Sequence, residues 1–167
     1  KSYLQSRGID LGIGECECKE VHYICNKKGY FAIAFPNVAN GYEIRNPYFK
    51  GGIAPKDISI IRKSDRSKVH NCCLFEGFMD YLSYLTGVKL GRITKGDEFM
   101  DYIVLNSVSN VSKAIEPIKK YKVIHCYLDN DDAGRRVVDS LQELLGDKVQ
   151  DMFAPYPLYK DLNDFLR

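Results

Sequence analysis

No run in this sequence approaches the roughly 18 apolar residues that a membrane span requires, and no signal-peptide pattern is present. A membrane partner is therefore not expected, and the chain reads as cytoplasmic. An excess of charge of one sign is also missing. The 24 basic and 22 acidic residues leave a formal net charge of +2, too small by itself to argue for nucleic acid. There are no internal repeats and no low-complexity segments. The six cysteines (Cys16, Cys18, Cys25, Cys72, Cys73 and Cys126) include no C-x-x-C pair. A zinc site within this chain is not expected, and reduced thiols in an intracellular protein are. The first residue is Lys1 rather than Met, so the chain reads as a fragment of something longer. Its 167 residues predict one domain, or one domain with a small companion. At 45% hydrophobic and 28% charged, the composition is ordinary for a globular protein.

What the sequence does have is a concentrated acidic stretch, Leu128-Asp129-Asn130-Asp131-Asp132-Ala133-Gly134. The apolar, β-branched and aromatic run at 123–128 predicts a buried strand. Helical spacing over 135–145, stopped by Gly146, predicts a helix. The acids thus fall where a strand turns into a helix, which in an open α/β sheet is where ligands bind. Clustered carboxylates repel unless protons or a cation neutralise them. Mg²⁺, which takes one or two carboxylates plus waters and phosphate oxygens, suits such a site. An EF-hand is rejected, because its fifth and twelfth loop positions would be Ala133 and Ser140. Capping of the following helix is the plainer alternative, but it needs one acid rather than three. Glu76 follows another strand-like run, Cys72-Cys73-Leu74-Phe75, and occupies the equivalent strand-end position. It reads either as a charge favouring the next helix N-terminus or as the partner of Asp129 and Asp131 across one crevice. The second reading is preferred.

Along the chain, residues 3–9 read as a last helical turn with Gly8 beyond it, and 12–19 as irregular. Strands are expected at 21–25, 30–35 and 42–46, joined by turns at 26–29 and at Asn40-Gly41, as an antiparallel meander. A short strand follows at 58–62, and a boundary at 64–68 divides a subdomain over 1–68 from one over 69–167. From there strand and helix alternate: strands at 69–75, 102–105, 123–128 and 149–154, and helices at 78–86 (amphipathic), 111–121 and 135–145. That order argues a parallel sheet with crossover helices.

Arg45, Lys50, Lys56, Arg62, Lys63, Arg66 and Lys68 form a basic stretch, with Tyr42, Tyr48 and Phe49 interleaved. Cations neutralise phosphates and aromatics stack on unpaired bases; a solvated charged face is the alternative. Arg135 and Arg136, beside the acids, read either as phosphate contacts or as surface helix charges. His22, His70 and His125 are scattered, and His125 reads as structural.

The run Phe75-Glu76-Gly77-Phe78-Met79-Asp80, followed by a later strand ending in Leu128-Asp129-Asn130-Asp131-Asp132-Ala133-Gly134, resembles a Toprim domain. Primases, topoisomerases, some nucleases and recombination proteins share that catalytic core. Lys160-Asp161-Leu162-Asn163-Asp164 resembles the stretch that follows it in bacterial primases. Upstream, residues 3–9, Phe35-Pro36-Asn37, 41–45 and Phe49-Lys50-Gly51 resemble the start of the primase polymerase region and its basic subdomain. Nearly the whole chain is covered, and small primase-like proteins of mobile elements resemble it most. Asn106-Ser107 stands where the family often has a Gly-Thr-like turn. The zinc-binding module and helicase-binding region of such primases are not part of the match, which leaves open whether this fragment alone starts a primer.

The resemblance implies an α/β fold: a Toprim-like parallel sheet of about four strands with flanking helices, preceded by a small antiparallel basic subdomain. It implies a DNA primase-like enzyme that makes RNA primers on single-stranded DNA by metal-dependent nucleotidyl transfer, with Mg²⁺ or Mn²⁺. Glu76, Asp129 and Asp131 correspond to the catalytic and metal-holding acids, and Asp161 to a further metal ligand. Arg45, Lys50, Lys56, Arg62, Lys63 and Arg135 become the nucleotide or nucleic-acid contacts. Implied partners are the template, nucleoside triphosphates, and a helicase or mobilisation protein. Two rival readings stay open: a Toprim nuclease or strand-cleaving enzyme, and a non-catalytic DNA-binding module of a recombination or mobilisation protein. No tyrosine stands out as a topoisomerase nucleophile.

Overall fold

The computed structural model describes residues 1–62, 68–97, 99–152 and 158–167. Two short helices open the chain, α1 (Ser2–Ser6) and α2 (Leu11–Glu17). The second replaces the irregular stretch expected at 12–19. Asp10 starts it by accepting the Ile13 N–H at 3.0 Å. Gly14 lets α1 and α2 touch, because a Cβ there would lie 2.3 Å from Leu4.

Strands β1 (Lys19–Cys25) and β2 (Lys28–Pro36) follow. Their turn is two residues, Asn26 and Lys27, both at positive φ, the twist that hairpins favour. Then come β3 (Tyr42–Asn46) and β4 (Phe49–Ile53), the latter unforeseen because Gly51-Gly52 carries no strand pattern. These four form one antiparallel sheet in the order β1-β2-β3-β4.

The remaining elements are β5 (Ser59–Ile61), β6 (Asn71–Phe75), α3 (Phe78–Lys89), β7 (Met100–Val104), α4 (Val111–Lys119), β8 (Val123–Tyr127), α5 (Asp132–Leu145), β9 (Val149–Asp151) and α6 (Leu162–Leu166). The second sheet has the order β5-β7-β6-β8-β9. Four of its strands run parallel, and β5 lies antiparallel on the β7 edge. The short strand expected at 58–62 therefore belongs to this sheet and not to the meander. The expected boundary at 64–68 falls almost wholly outside the described residues, as do 153 and 154 of the strand expected at 149–154.

Helices cover both faces of the parallel sheet, as buried parallel strands require. On one face α1, α3 and α6 pack with Phe35 of β2. On the other lie α4 and α5. Phe35 stacks on Phe78 with ring centroids 5.3 Å apart and so fastens the first sheet to α3. The expected amphipathic helix at 78–86 is instead buried nearly all round, since the sheet lies on one side of α3 and α2 and α6 on another.

Candidate active site

Phe75 and Tyr127 are register partners in adjacent parallel strands, so the chain leaves β6 and β8 in step. Glu76 and Asp129 emerge side by side, and the Asp129 N–H points at Glu76 Oε2 at 3.4 Å. Gly134 is required here: a Cβ at that position would sit 2.0 Å from the Asp129 carbonyl oxygen. The first turn of α5 therefore lies directly against the backbone that presents Asp129.

The two carboxylates open into a cleft of about 120 Å³. Asp80 and Asp161 line it with them, and Arg7, Arg45, Lys50 and Lys160 supply the opposite charge. Arg45 and Lys50 are cross-strand partners in β3 and β4, so the antiparallel sheet lays its cations over the ends of the parallel strands.

Charge is crowded in this cleft. Burial, then the neighbouring Glu76, Asp161 and Asp131, push the Asp129 carboxyl up to about 7, against the opposing pull of Lys160. Glu76 is raised by burial and by Asp131, and is drawn back by the Asp129 N–H, Lys50 and Lys160. Asp80 is raised well above the ordinary carboxylate range by burial and by Asp129 and Asp161, with the Asn163 N–H and Arg45 opposing.

The acids do not all serve the cleft in the same way. Asp131 Oδ1 accepts the Ala133 and Gly134 N–H groups, each at 3.0 Å, and caps α5. Asp161 Oδ1 accepts the Asp164 N–H at 2.7 Å and caps α6. Gly77 begins α3 without a side-chain cap, and Glu76 stands one residue before it at the helix N-terminus. A hydrogen-bonded cap is what Asp131 supplies to α5.

Among the described residues no three His, Cys, Asp or Glu groups are gathered closely enough to hold a metal ion by themselves. The carboxylates facing the cleft, Glu76, Asp80, Asp129 and Asp161, are nonetheless hard oxygen donors, and their mutual repulsion is what a divalent cation would relieve. Mg²⁺ needs only one or two protein carboxylates, and the Glu76–Asp129 pair meets that need.

The expected basic residues separate. Arg45 and Lys50 reach the cleft. Lys56 and Arg62 are not among the residues lining it; Arg62 borders cavities beside β5. Lys63 lies outside the described residues. Arg135 donates through Nη1 to Asp151 at 2.5 Å. Four polar side chains of the cleft were given no site role from the sequence: Arg7, Asp80, Lys160 and Asn163. Asp80 had a signal, an acid among the apolar residues of its helix. Arg7 had none, since its place depends on Asn163, whose Nδ2 donates to the Arg7 carbonyl and to Ser83 Oγ, both at 2.8 Å.

A family model described as Toprim-like matches residues 73–166, more than half of the chain, and the chain belongs to that family. A model described as a domain of unknown function (DUF8464) matches residues 1–54. No curated protein matches. Among solved structures, the primase fragment of the bacteriophage T7 primase-helicase protein is similar with a TM-score of 0.65 at 16% identity, over 98% of this chain and 67% of that one. The Aquifex aeolicus primase, with its zinc-binding and RNA polymerase domains, gives 0.64 at 16% identity over 99% of this chain. This chain spans 51% of the Aquifex chain. A complex of the T7 lagging-strand DNA polymerase with primase domains bound to an RNA/DNA hybrid and dTTP gives 0.55 at 16% identity, over 88% and 76% of the two chains. What these structures share with this chain is the fold. No helix among the described residues is long and apolar enough to cross a membrane.

Proposed function

We propose that the chain is the catalytic core of a DNA primase-like enzyme, joining ribonucleotides into primers on a single-stranded DNA template. The observation that carries this reading is the cleft in which Glu76 and Asp129 meet Arg45 and Lys50 from a second sheet. Carboxylates alone repel a polyphosphate; paired with four cations, they can admit one and still carry the chemistry. Arg45, Lys50, Arg7 and Lys160 would bind and orient the phosphates of nucleotide and template. Asp129 and Glu76 would hold Mg²⁺ or Mn²⁺, which when bound neutralises the charge developing on the transferring phosphoryl group. Glu76 would take the proton of the attacking hydroxyl on the carboxylate oxygen not facing the Asp129 N–H. Burial and the neighbouring Asp129 and Asp161 raise the Asp80 carboxyl, which lessens the negative charge it adds to the cleft. Solved relatives of the same fold include a primase-helicase fragment and primase domains on an RNA/DNA hybrid, which supports a template and a helicase or mobilisation protein as partners.

The test is to incubate the chain with single-stranded DNA, labelled nucleoside triphosphates and Mg²⁺ or Mn²⁺. Short primers are expected. Glu76→Gln and Asp129→Asn should each reduce joining by roughly 10²-fold or more while DNA affinity is retained, because the transition-state charge contributes nothing to ground-state binding. Cut template in place of primers, or full synthesis by Asp129→Asn, overturns the reading.

A further inference from the structure

Two of the three aromatics that alternate with the basic residues in sequence, Tyr42 and Phe49, do not share their face in the structure; the third, Tyr48, stands exposed in the turn between β3 and β4. Side chains alternate across a strand, so Tyr42 points away from Arg45, and Phe49 away from Lys50. Tyr42 packs with Ala32, Ala34 and Ile44 on the sheet's other side. Phe49 lies over Gly51, where a Cβ would meet its ring at 2.4 Å.

Register shows which aromatics do share the cationic face. Arg45 pairs with Ile33 and with Lys50. Ile33 and Phe35 pack inward on that face, so Phe31, two residues back along β2, lies on it as well. His22 is the cross-strand partner of Phe31, with ring centroids 6.5 Å apart. Phe31 is 58% exposed and Ile24, next on the same face of β1, is 81% exposed. Phe31 also stands diagonal to Arg45, within the ~7–8 Å at which such neighbours act together. The Asn46 amide, donating to the Phe31 carbonyl at 3.1 Å, ties the two strands together there. His22 is hydrogen-bonded through Nε2 to Glu20 Oε1 at 2.8 Å, so the acid beside Phe31 already has a partner; Glu43, on the same face beside Arg45, is held near Lys50 and Lys56.

We infer that Phe31, backed by His22, is a stacking platform for an unpaired base of the nucleic-acid strand whose phosphates meet Arg45 and Lys50. This rests on the function proposed above and adds where the strand leaves the cleft. A single strand presents phosphates and aromatic faces in alternation, and the sheet presents cations and then an exposed ring in the same order. Continuity with the cationic cleft favours nucleic acid over a protein partner, which would have no use for Arg45 and Lys50 beside the ring. A flat aromatic accepts any base, so the platform would add affinity without sequence preference.

The test compares a short oligothymidylate with a base-free deoxyribose-phosphate strand of equal length, both titrated against the chain at several salt concentrations. The wild type should prefer the strand with bases. Phe31→Ala should cut that preference by roughly 5- to 100-fold, leave binding of the base-free strand and the salt slope unchanged, and leave the melting temperature unchanged. Phe31→Tyr should keep the preference. Replacing Arg45 and Lys50 together with Ala should weaken both strands alike and flatten the salt slope. If Phe31→Ala discriminates the two strands as the wild type does, the platform is wrong while the primase-like reading stands. If the wild type binds neither strand in a salt-dependent way, the functional reading falls and the platform with it.

Discussion

Asp129 is a residue whose ionisation the fold opposes. Its carboxyl is pushed up to about 7, whereas in an unfolded chain it would ionise near 4. Between those values the folded state holds a proton that the unfolded state has lost. Stability must therefore fall as pH rises through that window, with the loss complete above about 7. Glu76 and Asp80 shift in the same direction. Asparagine cannot ionise, so the melting temperature of Asp129→Asn, relative to wild type in chelator, should climb between about pH 4 and pH 8. Adding Mg²⁺ should narrow the gap by stabilising only the wild type. Parallel melting curves across that range would show that Asp129 does not titrate abnormally. Gly134 offers a second test. The Cβ of Gly134→Ala would meet a backbone oxygen at 2.0 Å, with no flexible side chain to give way. A cost of ~1–3 kcal/mol is expected, lowering the melting temperature by about 2–12 °C at this chain length and reducing nucleotide joining as Asp129 moves. Gly29→Ala, with nothing within 4 Å of the new Cβ, is the control and should melt as wild type does.

Elements were legible in the sequence where one local signal decided them. Alternation marked β1, β2 and β3, and strand-then-helix order marked the four parallel strands and the acids at their ends. Elements set by distant contacts were not. Glycines at 12 and 14 hid α2, whose Gly14 is there to admit Leu4 of α1. Gly51 and Gly52 hid β4. β5 was visible as a strand, but its sheet was not, because pairing with β7 joins segments more than 40 residues apart. At the site, Glu76 and Asp129 could be read from strand ends, and Arg45 and Lys50 from charge. Asp131 and Asp161 also cap α5 and α6 through one oxygen each, and which N–H groups they accept from depends on turn geometry that the sequence does not show. The element that unites the halves is β2, through Phe35, which is 1% exposed and stacked on Phe78. Phe35→Ala should cost ~3–5 kcal/mol, on the order of 10 °C in melting temperature. It should also weaken DNA binding, because the sheet carrying Arg45 and Lys50 loses its seat on α3. An unchanged melting temperature would mean that the sheets are held together elsewhere.

For the whole molecule, a net charge of +2 conceals a separation: the acids of the cleft come from the parallel sheet and its helices, while Arg45 and Lys50 come from the antiparallel one. Neither half alone makes the site. The core is divided differently. Leu4, Ile9 and Phe35 from the first part of the chain pack in one cluster with Phe78, Tyr81 and Leu82 of α3 and with Leu162 and Leu166 of α6. β5 covers the β7 edge, which would otherwise present unpaired backbone groups to other chains. The segment matched as Toprim-like, residues 73–166, should therefore not fold stably by itself. Cut to that segment, the protein would expose the apolar side of α3 and an open strand edge at once. It should bind a hydrophobic dye, lose near-ultraviolet circular dichroism, and associate at concentrations where the full chain stays monodisperse. The full chain should melt in one calorimetric transition, because the cluster around α3 draws on both parts and neither can unfold without exposing it. Two separate transitions in the full chain, or a cooperative melt of 73–166 at the full chain's temperature, would show that the parts are independent. In that case the clamp assigned to Phe35 would fall as well, since a sheet that α3 does not need cannot be what steadies it.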